Sequence, residues 1–240
     1  MTMVADERPV GEPVGTTPAR RPARIPLEGR FVSLVPLDPD VHAHGLFAAS
    51  HDGSDEAARM WTYLAYGPWS DEASMREWLE PLPASEDPLF LAVIDHPAGD
   101  PVGIVTLMSV DPAMRHLELG NIWYVPRAQR TRANTESVYL MLREAFDELG
   151  NRRVEWKCDA LNARSRAAAE RLGFTFEAIF RQHMVYKGMN RDTAWYSIID
   201  GEWPRVRAGF ERWLDPGNFD SNGRQRSTLE TCRAAVKRSG

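Results

Sequence analysis

One stretch constrains the fold more than any other. Arg115–Val125 reads as a long strand, Pro126 ends it, and a helix capped by Thr131 or Asn134 runs on to Leu149. Val138, Met141, Leu142, Ala145, Phe146 and Leu149 recur at spacings of three and four, the stripe of a helix lying on a sheet. Gly150 stops the helix, and Arg153–Cys158 reads as a second strand. If two strands joined in this way are neighbours, they are parallel and the crossover is right-handed.

The strands before this unit are joined differently. Pro88–Asp95 and Val102–Val110 are separated by a turn at Pro97-Ala-Gly-Asp, and Asp111-Pro112 turns the chain again before Arg115. These short turns predict an antiparallel meander. Upstream, Arg30–Leu37 is a strand, Asp38-Pro39 starts a helix, and Ser70 caps another that runs to about Pro81. Downstream, Asn162 caps a helix that ends at Gly173, and Phe174–Val185 pairs with Thr193–Ile199 around Gly188–Asn190. A last amphipathic helix carries Pro204 in its first turn. The expected fold is a mixed α/β sheet of six to seven mostly antiparallel strands, with helices on both faces.

Composition sets the limits. The 240 residues are 43% hydrophobic and 26% charged, the balance of a globular chain. Residues 1–27 are rich in proline and arginine and nearly lack large apolar side chains before Ile25. Residues 215–240 are dominated by Asn, Ser, Gly, Gln and Arg. Both are expected to be disordered tails around one domain at 28–214. The body at 28–215 holds 20 basic and 29 acidic groups, a net of −9. That balance argues against nucleic acid as a partner and favours a cationic one. The longest apolar run, Leu89–Ile94, is far short of the roughly 20 residues a membrane helix needs. No secretory signal is visible, and two cysteines make no disulfide framework, so a cytoplasmic location is expected.

Four local texts then carry a resemblance. They are Trp61-Thr-Tyr-Leu-Ala-Tyr-Gly-Pro-Trp69; Gly120-Asn-Ile-Trp-Tyr-Val-Pro126 leading into Thr131-Arg-Ala-Asn-Thr-Glu136; Asn162-Ala-Arg-Ser165 through Leu172-Gly-Phe174; and Arg191-Asp-Thr-Ala-Trp-Tyr-Ser197. In this order and spacing the chain resembles the GNAT superfamily of N-acetyltransferases over roughly residues 28–214, and within it the RimJ/RimL-like branch.

The resemblance implies acetyl-CoA as acyl donor and an amine-bearing acceptor, either a peptide or protein α-amine or a small molecule. The backbone at Trp123, Tyr124 and Val125 would pair with the pantetheine arm. The loop of Gln129, Arg130, Thr131, Arg132, Ala133 and Asn134, with Thr135 beside it, would face the pyrophosphate at a helix N-terminus. Arg132 and Asn134 stand where the family usually has glycines, so close backbone approach loses its usual support. Asn162 would touch the pantetheine arm and Ser165 the thioester sulfur. The family's usual tyrosine acid is replaced by Ala169.

For catalysis, Glu118 is the expected base, because its apolar neighbours Leu117 and Leu119 point to the opposite face of the strand. An edge charge or ion-pair partner explains Glu118 equally well. His183 and Asp159 are weaker alternatives. Ser165 and Tyr124 are candidate donors to the leaving sulfur. Trp61, Tyr63, Tyr66 and Trp69 would cover the acceptor, or else pack as core. No His/Cys/Asp spacing points to a metal. A non-catalytic acyl-CoA-binding module and a longer donor such as succinyl-CoA stay open, as does monomer against homodimer.

Overall fold

The computed structural model describes residues 9–236. Its strands are β1 (Leu27–Glu28), β2 (Val32–Pro36), β3 (Leu89–Asp95), β4 (Asp100–Asp111), β5 (His116–Tyr124), β6 (Arg153–Asp159), β7 (Thr175–Tyr186) and β8 (Met189–Ile199). They form one sheet in the order β1-β2-β3-β4-β5-β6-β8-β7. Only β5 and β6 pair in parallel. The crossover between them is α4 (Arg132–Arg143), whose last residues continue as a wider turn over Glu144–Glu148. The eighth strand, beyond the six to seven expected, is the two-residue β1.

The helices begin where small polar side chains and prolines allow. In α1 (Pro39–Ser50) Asp38 accepts from the Asp40 amide, with Pro39 in the first turn. A short α2 (Asp55–Met60), absent from the sequence reading, is capped by Ser54. The next helix, α3 (Glu72–Leu79), is capped by Asp71 and not by Ser70, because Asp71 and Ser74 bond reciprocally. Thr131 caps α4, and Asn162 caps α5 (Ala163–Leu172), which Gly173 ends at φ 106°. α6 spans Trp203–Leu214. Helices α1 and α3 pack together beside β4, while α4 packs with α6 and β2. Leu89 to Val93 are buried on both faces of the sheet, which accounts for their unbroken apolar run.

The two stretches expected to be solvated differ from that expectation within the described residues. After α6 the chain turns at Asn218, whose side chain donates to Trp213 and Ser227 carbonyls and accepts from the Ser227 amide. A further helix, α7 (Leu229–Ala234), then buries Leu229 and Cys232 against α6 and α5. Composition hid this because few apolar residues are needed when the helix docks on an existing surface. Near the N-terminus, the Ala19 amide bonds Pro112 O at 2.9 Å and the Arg20 amide bonds Leu149 O at 2.8 Å. These two contacts tie an otherwise irregular segment to the sheet. The outermost parts of both expected tails, 1–8 and 237–240, lie outside the described residues.

Candidate active site

The site begins where β5 and β6 part. They pair over His116–Glu118 and Arg153–Glu155 and no further. Beyond that point β5 follows β4 alone and β6 follows β8 alone. A bulge in β5 accompanies the parting. Ile104 faces Trp123 and Thr106 faces Gly120, so Val105 opposes both Asn121 and Ile122. Asn121 takes φ 46° there. Gly103 cannot carry a side chain, because a Cβ would stand 2.1 Å from Trp123 O. The gap opens on a cavity of about 340 Å³.

One wall of the cavity is charged. Glu118 is 8% exposed and lines it. Lys157 Nζ lies 3.0 Å from Glu118 and 2.9 Å from Glu155. Arg153 donates to Glu155 at 2.8 Å and forms a fork on Glu177, which also accepts from Ser197. The chain of charges is three carboxylates against two cations, a net of −1. Ser109 donates to Glu118 at 3.2 Å. Burial raises the Glu118 carboxyl above its ordinary value, and Lys157 opposes that shift. Glu155 is held below its usual range: burial pushes it up, but hydrogen bonds from Lys157 and Arg153 outweigh that. Glu118 is therefore both cavity-facing and ion-paired, so the two readings of the sequence coexist in one residue. Asp159 lines the same cavity, its carboxylate accepting from the Leu161 amide, and exposed His183 lies opposite with Nδ1 3.0 Å from Thr193 Oγ1.

A second wall comes from the start of α5. Asn162 Oδ1 accepts from the Ser165 amide at 3.0 Å, a helix cap at the cavity edge. Ser165 Oγ accepts from Trp156 Nε1 at 3.0 Å. The hydroxyl proton of Ser165 is turned towards the neighbouring Cys158 sulfur. Burial pushes the Cys158 thiol up, so it is held as a thiol on the cavity wall.

Tyr124 departs from its expected role. Its hydroxyl donates to Ser137 Oγ at 2.5 Å, and Ser137 in turn donates to Asn134 O. Burial pushes the phenol up, and the ring is not part of the cavity lining. The reason is strand parity: with the bulge placed at 121–122, Tyr124 turns its side chain towards α4. Trp123 and Val125 are likewise buried, with the Val125 amide bonded to Val102 O.

The loop before α4 lies on the far side of the parting. Gln129 donates to Tyr124 O at 2.9 Å. The left-handed backbone, φ 62°, falls on Arg130 and not at 132 or 134, which are already helical. The amides of Arg130, Thr131, Arg132 and Ala133 have no acceptor among the described residues, while Asn134 and Thr135 amides bond back to Thr131. Arg132 is held between the rings of Phe31 and Phe219, at 4.6 and 4.9 Å, which turns it away from the loop's open amides. Arg171, half-buried and donating to Thr135 Oγ1, stands near Arg130 and Arg233. Unfilled amides with several guanidinium groups suit a phosphate-bearing group.

Of the four aromatics expected over the acceptor, only Tyr63 lines the cavity. Its hydroxyl donates to Leu161 O at 3.2 Å. Trp61 is 1% exposed and packs on Trp69, Trp123 and His51. Tyr66 and Trp69 pack against Trp78 with tilted rings. Irregular loops have no period from which inward and outward faces can be read, so the sequence could not separate Tyr63 from its neighbours. Sequence reasoning also missed Lys157, Tyr186, Lys187 and Arg191. Lys187 donates to Trp61 O and Gly67 O, tying the β7–β8 hairpin to the aromatic loop. Among the described residues no group of His, Cys, Asp and Glu side chains is arranged to hold a metal ion.

A mixed sheet whose parallel central strands part beside a bulge, with an amide-lined helix start on one side and a charged cavity on the other, is the architecture of the acyl-CoA N-acyltransferases. The chain belongs to the GNAT acetyltransferase family, whose domain matches residues 32–175. A GCN5-related N-acetyltransferase from Brucella melitensis is 46% identical, with a TM-score of 0.88 over 91% of this chain and 98% of that one. A structure described as a probable GNAT-family acetyltransferase, from Chromobacterium violaceum, is 37% identical, with a TM-score of 0.73 over 85% of this chain and 100% of that one. The Bacillus subtilis protein named "Putative ribosomal N-acetyltransferase YdaF" is 30% identical over 105 residues. That match takes in 44% of this chain and 57% of the relative, just over half its length, and accords with the RimJ/RimL-like resemblance.

Proposed function

We propose that the chain transfers an acetyl group from acetyl-CoA to a primary amine, by direct attack within a ternary complex. The observation that carries this reading is the parting of β5 and β6 immediately beyond Glu118 and Glu155. It leaves unpaired strand edges between the open amides at 130–133 and the charged cavity. When bound, the donor supplies a thioester carbonyl in that gap. The residues fit it: the amides of Arg130 to Ala133 and the nearby Arg171 would hold the phosphates, and Asn162 the peptide-like arm.

The acceptor enters as an ammonium, attracted to the Glu118 carboxylate on the cavity wall. Glu118, ionised, takes a proton from it, directly or through water. An α-amine near pKa 7.7–8.0 needs little help, and a lysine at about 10.4 needs more. The β5 backbone at the bulge is the source of amide donors for the developing oxyanion. Ser165 turns its hydroxyl from the Cys158 sulfur to donate towards the leaving sulfur. Tyr124, locked on Ser137, is left without a part in these steps.

Calorimetric titration with acetyl-CoA, succinyl-CoA and free CoA, followed by thiol release with a panel of amines, tests the reading. Micromolar binding with preference for the acetyl donor and amine-dependent thiol release are expected. No binding of the three would overturn it.

A further inference from the structure

We infer that Arg191 anchors an anionic group of the acceptor, so that the substrates are amines that also carry an acid, a carboxylate or a phosphate. The inference rests on the reading of the cavity as the acceptor site.

Arg191 is 8% exposed and lines the cavity. Its Nε donates to Thr193 Oγ1 at 3.2 Å, and its guanidinium sits 4.7 Å from the centre of the Tyr186 ring. Its terminal nitrogens meet no hydrogen-bond acceptor, and no carboxylate lies within ion-pair distance, among the described residues. Asp192, its neighbour in sequence, points the other way and accepts from Gln182 and Asn190. Asp159 lies in register with Thr193 across β6 and β8, but its carboxylate is engaged by the Leu161 amide.

Lys157 is compensated where Arg191 is not. Both are cations on the same cavity, Lys157 half-buried and Arg191 buried. Lys157 is flanked by two carboxylates, and Arg191 by an aromatic face and one hydroxyl. A buried guanidinium without a counter-ion is unfavourable unless something completes it. Its planar fork matches a carboxylate or phosphate through two parallel hydrogen bonds, which a point cation cannot do.

Position refines the class. Arg191, Thr193 and Trp195 alternate onto one face of β8, and Lys157 pairs with Trp195. The anchor therefore lies four residues, about 13 Å, along the strand from the Lys157 row. An acceptor that reaches both ends has its amine and acid several bonds apart, as in a short peptide with a free carboxylate or a phosphorylated side chain.

The test uses di- and tripeptides in matched pairs: C-terminal acid against C-terminal amide, and phosphoserine against serine within an amidated peptide. Thiol release is measured with acetyl-CoA for the intact protein and for Arg191→Met. The N-acetylated acids and amides are also titrated calorimetrically, a readout that needs no turnover. The intact protein is expected to favour one acidic series by about tenfold to a hundredfold, and Arg191→Met to abolish that preference. The series preferred identifies the acid. Where Arg191→Met unfolds, Arg191→Lys serves, keeping charge but losing the fork, and the preference is expected to fall about tenfold. Equal handling of acid and neutral partners by the intact protein, or a variant that weakens both equally, overturns the anchor and leaves Arg191 a structural residue. Absence of thiol release with every amine overturns the transferase reading instead, and the titrations then decide the anchor.

Discussion

Lys157 Nζ stands 3.0 Å from Glu118 and 2.9 Å from Glu155, bridging the last paired residues of two strands that part just beyond them. The ammonium joins the closed end of the gap and tunes the carboxylate that faces the cavity. Burial raises the Glu118 carboxyl, and Lys157 counters it. Glu118 must be ionised to act as a base, so turnover falls on the acid side at a pH above the ordinary carboxylate range. Removing the ammonium in Lys157→Met raises the Glu118 carboxyl further. The acid limb of kcat/KM is expected to move to higher pH, and an unmoved limb would take Glu118 out of the role. Glu118→Gln is expected to lower kcat by about a hundredfold or more.

Buried His42 supplies a separate pH effect, on stability. Its Nδ1 accepts from the Asp38 amide at 3.0 Å, which ties the imidazole to the cap of α1 in its neutral form. Burial lowers its pKa below 6.5, with Asp38 opposing. A lowered folded value means that the stabilisation is complete above about pH 6.5 and is lost as pH falls through the folded value. Unfolding by urea from pH 8 down to 5 should show this loss. His42→Gln should flatten that part of the curve, and an unchanged slope would assign the loss to other groups.

Trp61 tests the aromatic cluster as core. It is fully enclosed by Trp69, Trp123, His51 and Tyr66. Trp61→Ala is expected to cost about 3–5 kcal/mol, measured by urea unfolding. Tyr63→Phe removes only a 3.2 Å bond at the cavity rim and is expected to change stability by about 1 kcal/mol or less. If Trp61→Ala left stability intact and altered only acceptor KM, the cluster would belong to the site after all.

The sequence made the central unit legible because its signals are local. The stripe from Val138 to Leu149, the caps at Thr131 and Asn162, and the stops at Gly150 and Gly173 each lie within one or two turns. Glu118 was legible as well, since strand alternation places it opposite Leu117 and Leu119. Lys157 was not, because its neighbours come from β5 and from β6 pairing with β8 across some forty residues, and Arg191 was not, because the cavity it lines is assembled from β5, β6 and the loop after α2. Tyr124 misled for a related reason: the bulge at Asn121 and Ile122 resets the alternation, and one extra residue sends the phenol to Ser137. The docking of α7 was hidden because polar composition describes its exposed face and not the few contacts that hold it.

Asn162 separates a structural role from a binding one. Its side chain caps α5 through the Ser165 amide, and the residue borders the cavity. Loss of the cap alone in Asn162→Ala is expected to cost about 1 kcal/mol of stability. Asn162→Asp preserves the cap, because a carboxylate oxygen accepts from the same amide and suits the helix dipole. It removes the amide's donor hydrogens, however, and brings negative charge to the edge of the gap. If Asn162 also contacts the donor's peptide-like arm, both variants weaken acetyl-CoA binding, although only Asn162→Ala loses stability. Calorimetric titration beside urea unfolding reads the two effects independently. Unchanged affinity in both variants would reduce Asn162 to a helix cap and leave the open amides at 130–133 to carry donor binding.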